Sequence, residues 1–151
     1  MSDHATPIDI LLVEDNPGDA RLTREAFRNE KLRNTLHHVQ DGVEALAFLR
    51  REGPYAAAPR PALILLDLNL PRMDGREVLS AIKQDEQLKR IPVIILTTSN
   101  DDQDVCNTYN LHANCFITKP VCFERFLAIV RTIEEFWLTT VRLPTPNPCA
   151  A

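Results

Sequence analysis

Three uninterrupted apolar runs constrain this chain more than any other feature: ILLV at 10–13, LILL at 63–66 and VIIL at 93–96. A strand with one wet face alternates apolar and polar residues, so a strand that is apolar throughout is buried on both faces. Parallel sheets covered by helices produce such strands. Right-handed crossovers between parallel strands then favour an open, doubly wound α/β arrangement.

The segments between the runs fit that plan. Strands are expected over 8–13, 35–39, 62–67, 92–97 and 115–118, with helices over 17–28, 42–51, 75–86, 101–111 and 123–141. Asn16 is placed to cap the first helix, and Pro17 suits a first helical position, where its missing N–H costs nothing. Asp41-Gly42-Val43-Glu44 resembles a capping box for the second, and Asp74-Gly75-Arg76-Glu77 caps the third. GPYAAAPRP at 53–61 reads as a loop. The order is (βα)5, and 151 residues suit one domain, expected over 8–143. Residues 1–7 form an N-terminal extension, and PTPNPCAA at 144–151 reads as a disordered Pro-rich tail.

Lys and Arg total 17 against 21 Asp and Glu, a net charge of −4 that argues against binding duplex DNA. Cys106, Cys115, Cys122 and Cys149 lack metal-site spacing and read as reduced packing residues. No apolar stretch approaches the roughly 20 residues a spanning helix needs, nor is there a signal-peptide pattern. A cytoplasmic protein without a membrane or nucleic-acid partner is expected.

In an open α/β sheet, ligands bind outside the carboxyl ends of the strands. Those ends carry Glu14 and Asp15, Asp67, Thr97, and Lys119 followed by Pro120. Carboxylates brought so close repel one another unless a cation lies among them. An oxygen-only set with few protein ligands suits Mg2+, which keeps several waters.

LLVEDNPGDARL, ILLDLNLPRMDG, VIILTTS and FITKP together resemble the signature segments of the two-component response-regulator receiver domain, over about 8–141. The resemblance implies a flavodoxin-like fold with strand order 2-1-3-4-5. It implies Asp67 as phosphoacceptor, with Asp15 and Asp67 binding Mg2+ directly, Glu14 through a metal-bound water, and Asn69 through its backbone carbonyl. Thr97 would be the switch hydroxyl, Lys119 the partner of a phosphoryl oxygen, and Phe116 the aromatic switch residue. Lys119–Pro120 would be cis. Asn69 and Ser99 occupy positions expected to influence the acyl-phosphate lifetime. Within the family, VEDNPGDARLTREAF, GPYAAAPRP and EEFWLTTVRLP are similar to the single-domain regulators paired with phytochrome histidine kinases. That kinase class is therefore the expected phosphodonor; another sensor kinase, or a phosphorelay, is the alternative.

Two other chemistries compete. An aspartyl-phosphate phosphatase needs a second Asp two residues after its nucleophile, and Asn69 occupies that place. A flavodoxin-like cofactor site needs a Ser/Thr/Gly phosphate loop after strand 1, where this chain has the acidic EDNPGD. His37 and His38 alternate faces of a short strand and read as structural or surface residues, the phosphohistidine being expected on the kinase.

On the last helix the apolar residues, extended by Ile129 and Phe136, cover an arc of about 200°, wider than the roughly 100° needed to cover a sheet. The surplus around Ile129, Phe136 and Trp137 fits a homodimer through the face of helix 4, strand 5 and helix 5, and the resemblance to the phytochrome-linked regulators, which are known as dimers, implies self-association as well.

Overall fold

The computed structural model describes residues 8–28, 34–97 and 115–118, together with Glu124 and Ala128. The chain divides into two units, Met1–Val121 and Cys122–Ala151. Of the second, Glu124 and Ala128 are helical and exposed. The expected helix over 101–111, the rest of the last helix and both termini lie outside the described residues.

The first unit contains β1 (Ile8–Val13), α1 (Pro17–Ala26), β2 (Asn34–Val39), α2 (Gly42–Arg50), a single 3-10 turn at Gly53–Tyr55, β3 (Leu63–Asp67), α3 (Gly75–Gln84), β4 (Val93–Thr97) and β5 (Cys115–Thr118). All strand pairs are parallel and the order is β2-β1-β3-β4-β5, as expected. The three apolar runs are the three inner strands. Leu11, Val13, Ile64, Leu66, Val93 and Ile95 pack in one cluster with Leu46, Phe48 and Leu49 of α2 and Val78, Leu79 and Ile82 of α3. Their neighbours Ile10, Leu12, Leu65, Ile94 and Leu96 point the other way and are just as buried. Burial on both faces explains why no polar residue interrupts the runs.

The helices start where the side chains dictate. Asn16 Oδ1 accepts from Asp19 N (2.9 Å), with Pro17 opening α1. Asp74 and Glu77 form a complete capping box: Asp74 accepts from the first-turn backbone while Asp74 N donates to Glu77 Oε1 (3.0 Å). The expected box on α2 is only half formed. Asp41 Oδ1 accepts from Glu44 N (2.8 Å), but the Glu44 carboxylate accepts the Tyr55 hydroxyl at 3.3 Å. Helix ends fall short of expectation, α1 at Ala26 and α3 at Gln84. Beyond α3, Lys83 Nζ donates to the carbonyls of Lys89 and Ile91 (3.2 and 3.3 Å), pinning the turn that feeds β4. Burial holds that ammonium below its usual range.

The 53–61 segment is tied to α2 rather than loose. Tyr55 packs on Phe48, which packs on His37, each pair with ring centroids 5.4 Å apart. Arg51 leaves α2 in a left-handed conformation (φ 57°), and its Nε donates to Ala58 O at 2.9 Å.

Candidate functional site

The strand order reverses between β1 and β3: from β1 the chain crosses to β2 on one side, and from β2 it returns to β3 on the other. The loops leaving β1 and β3 therefore diverge and open a crevice at the strands' carboxyl ends. Register brings Val13 beside Leu66, so Glu14 and Asp15 emerge next to Asp67. Carboxylate oxygens of Glu14, Asp15 and Asp67 all lie within 4.8 Å of one another. Glu14 is fully buried, Asp67 is 4% exposed, and Asp15 faces solvent.

Backbone donors aim two of these carboxylates. Asn16 N donates to Glu14 Oε2 (3.2 Å), and Asn69 N donates to Asp67 Oδ1 (2.9 Å). Glu14 N continues the ladder to Val39 O at 3.1 Å, which keeps the acidic turn in line with the sheet. Asn69 itself is exposed in the β3–α3 connection.

That connection is clamped by close backbone approaches. Gly75 N donates to Leu68 O (2.9 Å), and a Cβ at Gly75 would fall against the Asp67 carbonyl oxygen and within 2.6 Å of Leu68 Cα. A Cβ at Gly42 would lie 2.5 Å from Met73 O. Arg72, at φ 66°, reaches Asp41 at the start of α2 (Nε–Oδ2 3.3 Å). These glycines support the site, and the sequence reading assigned them no role there. A Gly following the Asp74 cap was the available signal, since only a missing side chain lets a helix start press on a strand end.

Thr97 ends β4 opposite Thr118 of β5, and Phe116 pairs with Ile95. Both are at the expected strand positions; their side chains, and Lys119, Pro120 and Ser99, lie outside the described residues. The same holds for Ile129, Phe136 and Trp137.

The donor set fits a small hard cation: three carboxylates and no sulfur or imidazole ligand within the cluster. It does not suit an anionic cofactor, which three acids would repel. Among the described residues, no helix is long and apolar enough to cross a membrane.

A doubly wound parallel sheet with an acidic crevice at its switch point places the chain among α/β proteins whose strand ends suit a cation, as opposed to those that cradle a nucleotide or flavin phosphate there. The chain belongs to the response regulator receiver domain family, whose model matches residues 10–131. It is 50% identical over 145 residues to response regulator Rcp1 of Synechocystis sp. (strain PCC 6803), covering 95% of this chain and 99% of that protein. Among solved structures, it is similar to the phosphorylated cyanobacterial phytochrome response regulator RcpA (53% identity, TM-score 0.77, 93% of this chain and 100% of that one). It is also similar to the Mn2+-bound form of Rcp1 (50% identity, TM-score 0.74, 92% and 100%).

Proposed function

We propose that this receiver, spanning 8–143, accepts a phosphoryl group on Asp67 from the phosphohistidine of a phytochrome-type sensor kinase and passes the signal on by protein contacts. The observation that carries the proposal is the convergence of Glu14, Asp15 and a nearly buried Asp67 at the sheet's switch point. The phytochrome assignment rests on the similarity to Rcp1 and RcpA over almost their whole lengths.

The chemistry follows from the residues. A carboxylate oxygen of Asp67 attacks phosphorus as the P–N bond of the donor breaks, and the imidazole leaves with the bonding electron pair and takes up a proton. The hydrogen bond from Asn69 N orients the carboxylate beforehand, which removes part of the entropic cost of attack. Asp15 and Asp67 would hold Mg2+ directly, Glu14 through water and Asn69 through its carbonyl. Bound there, Mg2+ supplies the charge neutralisation that lets an anionic nucleophile approach an anionic phosphoryl group. Lys119 neutralises a further phosphoryl oxygen, the Thr97 hydroxyl turns to the new acyl phosphate, and Phe116 moves into the space released. The receiver also self-associates through Ile129, Phe136 and Trp137.

Radiolabel transfer tests the reading. Label from an autophosphorylated phytochrome kinase should pass to the native chain within seconds and not to Asp67→Asn. Equal or faster transfer from an unrelated sensor kinase would remove the phytochrome assignment and leave the phosphoacceptor.

A further inference from the structure

Glu14 is held by β2 through both of its backbone polar groups. Its N–H donates to Val39 O (3.1 Å), the last rung of the β1–β2 ladder. Its carbonyl is met at 2.8 Å by a side chain, His38 Nε2, from 24 residues away. A carbonyl oxygen can only accept, so His38 carries its proton on Nε2 in this contact. The Glu14 carbonyl and the Asp15 amide share one rigid peptide plane. The imidazole therefore sets the plane from which Asp15 departs, one residue before the Asn16 cap starts α1.

We infer that His38 is a positioning residue for the cation site: by holding the Glu14–Asp15 peptide it presents the two acids in the arrangement a divalent ion needs. This deepens the proposed function and rests on its metal reading. Asp15 is exposed and gets little orientation from packing, whereas the hydrogen bond to its preceding peptide is anchored in the sheet. Outer partners that orient ligands typically govern about 10- to 100-fold in metal affinity. The neighbouring His37 serves as an internal contrast. It lies on the other face, meets Asp9 Oδ1 at 2.9 Å near the start of β1, and packs on Phe48.

The test is Mn2+ binding to the full chain, followed by the paramagnetic resonance of free Mn2+, with competition by Mg2+. His38→Phe, which has no donor, should bind about tenfold more weakly. His38→Gln, which keeps an N–H donor, should recover most of the loss, and His37→Phe should bind like the native chain. Native affinity in His38→Phe overturns the inference, as does equal weakening in the Phe and Gln variants. No binding by the native chain overturns the metal reading and this inference with it. A readout free of variants is the long-range 1H–15N spectrum of the native chain. It should show the Nε2–H tautomer of His38, with a resonance that moves on saturation with Mg2+; an Nδ1–H tautomer overturns the proposal.

Discussion

Tyr55 shows how a residue outside the site joins the fold. Burial first, then the charge of Glu44 and the hydrogen bond to it, push the phenol above its ordinary value of 10.0. The neutral phenol is the form the fold favours. Any stability it contributes is therefore present below pH 10.0 and is lost as pH rises through the raised folded value. In a Tyr109→Phe background, where Tyr55 is the remaining tyrosine, absorbance near 295 nm should titrate above 10.0. Glu44→Gln should move the midpoint down, and an unchanged midpoint would remove Glu44 from the cause. The acids of the site were legible residue by residue, because strand ends following apolar runs are where such folds bind ligands. His38 was not. Its role depends on the register that sets Leu12 against His38, and no local pattern in HHVQDG encodes that register.

At the scale of elements, the inner strands could be read directly because two buried faces leave one composition, unbroken Leu, Ile and Val. Helix starts were legible where the cap is local, as at Asn16 and Asp74. The α2 box was misread because Glu44 is claimed by Tyr55, eleven residues on, and a contact across the 53–61 segment leaves no mark on a four-residue motif. The glycines separate two kinds of constraint. Gly53 needs only its backbone freedom (φ 58°), with nothing within 4 Å of a Cβ, so Gly53→Ala should cost about 1 kcal/mol and leave phosphorylation intact. Gly75→Ala must push the Asp67–Leu68 backbone aside. It should cost about 1–3 kcal/mol in urea unfolding and also slow phosphoryl uptake at Asp67. Native-like uptake in a destabilised Gly75→Ala would show that α3 supports the sheet but not the acceptor.

For the whole molecule, part of the excess of acidic over basic residues is concentrated where the proposed chemistry needs it, at Glu14, Asp15 and Asp67. The proposed self-association makes its prediction at this scale. Light scattering at micromolar concentration should give a dimer mass, reduced to a monomer by Phe136→Ala with Trp137→Ala, since aromatic anchors dominate interfaces of this kind. A native monomer, unchanged by the double substitution, would reject the interface. The central claim concerns Asp67, and intact mass spectrometry after incubation with acetyl phosphate and Mg2+ tests it most directly. The native chain should gain one phosphoryl group as a hydroxylamine-sensitive acyl phosphate, the gain should vanish on chelating the metal, and Asp67→Asn should gain none. Stoichiometric uptake by Asp67→Asn, or none by the native chain, would contradict the account.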